Sequence, residues 1–252
     1  MSDNCECPFF KHAITINTRG GVRPCCVFDN SKLATIKLDQ VDRWKTIFHD
    51  LDKRSKNEWL PECAGCKTLE DAGLPSMRNT DSAWRPSGPD ADSVGVVYWD
   101  FKINNTCNLA CRMCNGASSS KWEQLANTLN GLDKYHQTTL PDRWHKGLDS
   151  VLPLLIDARV VKFTGGEPFM IPQVIKVVDY LIEEDIAPAV NLTFVTNGTQ
   201  DHEKYYEKFK KFKKVRLNIS IDAVGKRFEY IRSGADWEQV KNNMERLSKN
   251  RP

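Results

Sequence analysis

Apolar residues recur along this chain in two periods, and the switches between them predict its elements. Val41, Trp44, Ile47, Phe48 and Leu51 fall at helical spacing, so a helix is predicted over Val41–Ser55. Ahead of it, Ala13–Asn17 reads as a strand, Arg19–Gly20–Gly21 as a turn, and Val22 as the start of a second short strand. That pair has the form of a hairpin. From Val94 onward strand and helix alternate. Strands are predicted over Val94–Ile103, Arg159–Phe163, Asn191–Thr196 and Val215–Ile221. Helices are predicted over Ser119–Leu129, Asp142–Leu155, Gln173–Glu184, His202–Phe212 and Trp237–Leu247. Strand, loop and helix repeated four times predict an α/β fold, a parallel sheet with helical crossovers. In such sheets the loops after the strands form the functional face.

Pro75–Ser93 is rich in Pro, Ser, Asp, Asn and Gly and reads as a linker. It divides the chain into a cysteine-rich segment, residues 1–74, the linker, residues 75–93, and the α/β core, residues 94–252. Hydrophobic residues make up 40% and charged residues 27%, as in ordinary globular chains. A net charge of +3 gives no strong signal for nucleic acid or a membrane surface. The run Lys208–Lys214 reads as a solvated helix end with Phe209 and Phe212 facing the core. No run of roughly 18 apolar residues is present. The start MSDNCECPFF lacks a basic stretch followed by an apolar one. A cytoplasmic location is expected, and the histidines, which occur singly, read as structural or exposed.

Nine cysteines are many for such a chain, and reducing conditions disfavour disulfides. Their clustering points to metal or catalysis. Cys107-Asn-Leu-Ala-Cys111-Arg-Met-Cys114 brings three soft ligands within eight residues. Thiolates of this kind favour zinc or iron–sulfur clusters. Structural zinc is normally closed by four ligands, and this loop offers three. A zinc knuckle completed by His136 or His145 is the alternative. A cubane cluster on three cysteines leaves one iron open to another ligand.

At these residues the chain resembles the radical SAM superfamily. CNLACRMC matches that family's C-x3-C-x2-C signature. Thr164–Pro168 resembles its GGEP motif, and Thr196-Asn197-Gly198 its third-strand ending. Ser220-Ile221-Asp222-Ala223 and Arg232-Ser233-Gly234 resemble elements near its fourth strand. The resemblance covers about Val94 to the C-terminus. It implies a partial (β/α) barrel holding a [4Fe–4S] cluster on Cys107, Cys111 and Cys114. S-adenosylmethionine would chelate the open iron, accept one electron and break to give methionine and a 5′-deoxyadenosyl radical. That radical takes a hydrogen atom from a substrate.

For the site the resemblance implies further roles. Gly165 and Gly166 would let the backbone approach the methionine part of the ligand, with Glu167 near its ammonium. Asn197 would bond the ligand or close an Asx turn, two readings of equal weight. Ser220 and Asp222 would contact carboxylate, ribose or substrate, and Arg232 the ligand carboxylate. Met113 stands where the family often has an aromatic residue and still offers a polarizable surface to adenine. No residue can be assigned the catalytic hydrogen transfer itself. An electron donor such as flavodoxin or ferredoxin is also implied.

Cys7, Cys25, Cys63 and Cys66, with Cys5 and Cys26 as substitutes, can close a second site. By spacing alone zinc and iron–sulfur fit it equally. Gly21–Cys26, after the hairpin turn, resembles the G-x-V-x-P-C of Twitch and SPASM auxiliary-cluster modules, which implies an auxiliary [4Fe–4S] cluster. Those modules usually follow the barrel, whereas here the similar segment precedes it. The family's barrel usually has six strands and four are placed here, so either a truncated chain or a shortened barrel is expected, and an unfinished barrel would leave an open sheet edge. The Twitch-like segment motivates a peptide or protein side chain as substrate. A small molecule or nucleobase, and a non-catalytic zinc-stabilised binding module, are the alternatives.

Overall fold

The computed structural model describes residues 5–29, 36–80, 84–130 and 142–249. His136 lies outside them, and of the His145 side chain nothing is described.

A short helix, α1 (Phe9–His12), leads directly into β1 (Ala13–Ile16), which turns back into β2 (Val22–Arg23). Helices α2 (Val41–Ser55) and α3 (Ala64–Asp71) complete the cysteine-rich segment. The core follows as β3 (Tyr98–Phe101), β4 (Ala110–Cys111), α4 (Ser120–Asn130), α5 (Asp142–Val151), β5 (Val160–Phe163), α6 (Pro172–Glu183) and β6 (Asn191–Thr196). It continues through α7 (Tyr206–Phe209), β7 (Lys214–Ile219), α8 (Gly225–Ile231), β8 (Arg232–Ser233) and α9 (Trp237–Lys249).

Six strands form one sheet in the order β2-β1-β3-β5-β6-β7. β1, β3, β5, β6 and β7 are parallel, and only β2 runs against its neighbour. Five parallel strands therefore stand where four are expected, because β1 pairs with β3 rather than staying in a separate hairpin. Among the described residues no strand closes the sheet into a barrel. β4 and β8 form a two-stranded clip of their own.

One face of the sheet carries the aromatic core. Phe101, Phe163 and Phe194 are neighbours in register and fully buried. Their rings stack at 5.6 and 5.3 Å between centroids. Phe169 adds a ring 4.7 Å from Phe194, and Phe209 packs at 5.5 Å. Phe209 and Phe212 are both buried, as the spacing within the lysine run predicts. Helix α6 contributes Val174, Val177, Val178 and Leu181 to the same core.

Two local expectations are corrected. The long helix over His202–Phe212 is a 3₁₀ turn, Glu203–Tyr205, followed by the single turn α7. The strand over Val94–Ile103 is confined to Tyr98–Phe101. Within the stretch that reads as a linker, Trp84 is buried, with its ring 5.0 Å from Phe9 and 5.2 Å from Tyr98. Among the described residues no helix is long and apolar enough to cross a membrane.

Phe194 touches three rings of the core at once. Phe194→Ala is predicted to lower the unfolding free energy by about 3–5 kcal/mol, since it removes a buried aromatic and leaves a cavity. Urea titration followed by circular dichroism checks this; a loss under about 1 kcal/mol would contradict the packing.

Candidate functional site

The three-cysteine loop begins just beyond β3 and is tied down at both ends by its own polar residues. Cys107 N–H donates to Ser120 Oγ at 3.1 Å, and that hydroxyl donates back to Cys107 O at 3.1 Å. Ser119 Oγ donates to Leu109 O at 2.6 Å, and Trp122 Nε1 to Cys111 O at 2.5 Å. The first turn of α4 thus holds the loop from beneath. On the far side β4 pairs with β8, setting Cys111 opposite Arg232. Cys114 N–H closes a tight turn onto Cys111 O at 2.9 Å.

The ends of β5 and β6 reach the same loop. Glu167 is fully buried, and its backbone N–H donates to Thr106 O at 2.7 Å, one residue before Cys107. Its carboxylate accepts from Thr196 Oγ1 and Asn197 N–H, both at 2.7 Å, and from Phe169 N–H at 3.4 Å. Burial pushes the Glu167 carboxyl above the usual range, and these donors pull it back. Its observed partners are the protein's own groups, and through them it joins three strand endings.

Asn197 is buried, and both ends of its amide meet groups of the protein. Its Oδ1 accepts from Thr199 N–H at 2.9 Å, an Asx turn. Its Nδ2 donates to Asn108 Oδ1 at 3.0 Å and lies 3.8 Å from Cys107 Sγ as a donor. Gly166 has φ +52°, and a Cβ there would sit 2.5 Å from Thr106 O. A side chain is therefore excluded by the cysteine loop's own backbone. Gly165, at φ +75°, packs on the Lys102 stem.

Arg232 Nε pairs with Asp222 at 2.7 Å, and its Nη1 donates to Cys111 Sγ at 3.7 Å. Ser220 extends the β6–β7 ladder by donating its N–H to Thr196 O at 2.9 Å. Met113 is 60% exposed, its side chain free of the core. Burial raises the Cys107 and Cys111 thiols, while Arg232 beside Cys111 and Asn197 beside Cys107 act in the opposite direction. Ligation by these sulfurs therefore releases protons. The donor set fits an iron–sulfur centre, because two of the three sulfurs already have N–H donors aimed at them.

The N-terminal thiols gather elsewhere. Cys5, Cys7, Cys25, Cys63 and Cys66 all line one cavity, with Phe9, Phe28, Met77 and Arg78. Cys26 is not among its lining residues. Leu60 N–H donates to Cys5 Sγ at 3.3 Å, and Cys5 Sγ donates to Glu58 O at 3.4 Å. Burial raises the Cys7 and Cys25 thiols to about 12. Among the described residues, no group of three or more His, Cys, Asp or Glu side chains is drawn together closely enough to hold a single metal ion.

The fold is that of an α/β protein with a largely parallel sheet, and a loop of three thiols lies beyond the carboxyl end of β3. The model of the Radical SAM superfamily matches residues 101–252, and the chain belongs to that superfamily. Its members use a [4Fe–4S] cluster and S-adenosylmethionine. The chain is 30% identical over 132 residues to the uncharacterized protein MJ0907 of Methanocaldococcus jannaschii, covering 52% of this chain and 40% of that one. It is 25% identical to a probable GTP 3′,8-cyclase of Methanococcus maripaludis, covering 62% and 47%. A GTP 3′,8-cyclase of a Mycobacterium species is also 25% identical, covering 62% and 41%. The chain thus spans less than half the length of these curated relatives.

The buried glutamate was legible only as part of a motif; its protein partners came from strand endings far off in sequence. Glu167→Ala orphans two backbone N–H groups and a hydroxyl and is predicted to cost at least about 2 kcal/mol of stability. Chemical denaturation checks this, and a wild-type midpoint would contradict the role.

Proposed function

We propose that Cys107, Cys111 and Cys114 hold the [4Fe–4S] cluster of a radical SAM enzyme that acts on a small molecule. The observation that carries this reading is the loop itself. Three thiols are fixed by α4, by the β4–β8 clip and by Asn197, and no fourth protein ligand belongs to the loop. When bound, the cluster and S-adenosylmethionine supply one electron and a 5′-deoxyadenosyl radical that abstracts hydrogen.

The chain's own residues hold and orient. Gly165 and Gly166 offer backbone groups at the β5 ending to the amino-acid part of S-adenosylmethionine. Arg232, steadied by Asp222, presents its guanidinium beside Cys111 toward the carboxylate. Met113 offers an exposed thioether surface to adenine. Ser220 and Asp222, just beyond β7, would contact the carboxylate, the ribose or the substrate. Glu167 acts as a positioning residue, through Asn197 and Thr106.

A small-molecule substrate is favoured over a peptide side chain by the relatives named GTP 3′,8-cyclase. The cysteine-rich segment, residues 1–74, is read as an auxiliary module. Cys7, Cys25, Cys63 and Cys66 would ligate a second [4Fe–4S] cluster in their shared cavity. Cys5 lines the same cavity and can substitute for one of the four.

Anaerobic reconstitution, reduction with dithionite and addition of S-adenosylmethionine are expected to yield 5′-deoxyadenosine. A colourless protein with stoichiometric zinc and no product would refute the reading. In the triple variant Cys107→Ala, Cys111→Ala, Cys114→Ala, about four irons per chain are expected to remain, on four-cysteine ligation. Loss of all iron would remove the auxiliary cluster from the account.

A further inference from the structure

Residues 197–200, which follow β6, form neither strand nor helix, yet Gly198 and Thr199 are buried. Buried carbonyls need partners, and here the sheet supplies none. Helix α9 supplies them instead. Asn243 Nδ2 donates to Gly198 O at 2.8 Å and to Gln200 O at 3.3 Å. Gln239 Nε2 donates to Thr199 O, between them, at 3.2 Å. Gln239 and Asn243 stand four residues apart and so share one face of the helix. Val240, fully buried, packs on the same turn: a Cβ on Gly198 would come within 3.1 Å of its Cγ1.

The amide of Asn243 is itself fixed. The residue is buried, and its Oδ1 accepts from Arg246 Nη2 at 2.7 Å. An arginine can only donate, so the other end of the amide must be the donor that meets the turn. A buried asparagine inside a helix is unfavourable for the helix by itself. Its partners across the gap give it a reason to be there.

On its other side the same turn reaches the cysteine loop. Thr199 Oγ1 donates to Asn197 Oδ1 at 2.7 Å and accepts from Asn108 Nδ2 at 3.0 Å. Asn197 Nδ2, held between these groups, is the donor that lies 3.8 Å from Cys107 Sγ. The start of α9 touches the second sulfur donor as well. Trp237 N–H donates to Glu229 Oε1 at 3.2 Å, and its ring lies 5.2 Å from Phe228. Both partners belong to α8, which runs straight into Arg232, the donor to Cys111 Sγ. The two N–H groups aimed at sulfur thus depend on one helix at the far end of the chain.

We infer that α9 sets the reduction potential of the cluster on Cys107, Cys111 and Cys114, with Gln239 and Asn243 as positioning residues that hold Asn197 against Cys107. Hydrogen bonds to cluster sulfur favour the reduced, more negative state and raise the potential. A turn released from α9 carries Asn197 away from Cys107 and lowers it. The inference rests on the radical SAM reading for the cluster itself. Amides that merely paired the turn's carbonyls would affect stability and leave the potential alone.

The test is a redox titration of the full chain, reconstituted without oxygen and followed by electron paramagnetic resonance. The reduced signal that changes shape when S-adenosylmethionine is added belongs to this loop, and its midpoint is measured before that addition. Asn197→Ala, Asn243→Ala and Gln239→Ala are each expected to shift the midpoint to more negative potential. Joining Asn243→Ala to Asn197→Ala is expected to give the shift of Asn197→Ala alone, because the first acts through the second. Gln239 is exposed, so its variant keeps the fold even if Asn243→Ala does not. Lys241→Gln, exposed on the same helix, should leave the midpoint unchanged. Unshifted midpoints in Gln239→Ala and Asn243→Ala, or shifts that add in the double variant, would overturn the proposal. A wild-type protein with no signal that responds to S-adenosylmethionine would refute the radical SAM reading and the proposal with it.

Discussion

A carboxylate with no exposure to solvent organises the carboxyl ends of this sheet. Glu167 gives its backbone N–H to the cysteine loop at Thr106 and its side chain to Thr196, Asn197 and Phe169. Burying an acid without partners is costly, so its position is defined by the groups that satisfy it. Those groups belong to three different strand endings. Asn197, held in turn, reaches Asn108 and the sulfur of Cys107. The chain of contacts runs from one buried acid to the thiol of Cys107 through buried and half-buried residues. Gly166 follows from the same constraint, because the loop that Glu167 ties down leaves no room for a side chain there.

Around that knot the sheet has two unlike faces. Its aromatic face, Phe101, Phe163 and Phe194 under α6, supplies stability. On its other face Lys162 and Thr193 are half-buried and Arg216 is exposed. The two groups of thiols lie at opposite ends of the strands, one on a loop after β3 and one in a cavity under α1. The hairpin that carries Cys25 belongs to the same sheet as the core, so the relative position of the two sites is set by strand pairing rather than by a linker.

Much of this was legible in the sequence where a signal is local. The helix over Val41–Ser55 and the strand over Asn191–Thr196 have the predicted bounds, because apolar period and flanking residues agree there. The cysteine loop and the GGEP-like turn carry their own spacing. What escaped was non-local. Nothing near Ala13–Ile16 says that it pairs in parallel with Tyr98–Phe101, more than eighty residues on. Trp84 anchors a stretch whose Pro and Ser content reads as linker, since one buried indole outweighs a polar composition. The helix over His202–Phe212 breaks into short turns although its buried aromatics were identified. Motif position marks Glu167 and Asn197 but does not show their partners within the chain, Thr106, Thr196 and Asn108.

The central claim is that the three-thiol loop leaves one iron open for the amino-acid end of S-adenosylmethionine. Electron–nuclear double resonance on the reduced, reconstituted protein tests it, with S-adenosylmethionine labelled with ¹⁵N at the amino group and ¹⁷O at the carboxylate. The account predicts hyperfine coupling of both labels to a cluster, and loss of both couplings in Cys107→Ala. Coupling to neither label, with the cluster intact and the ligand bound, would contradict it.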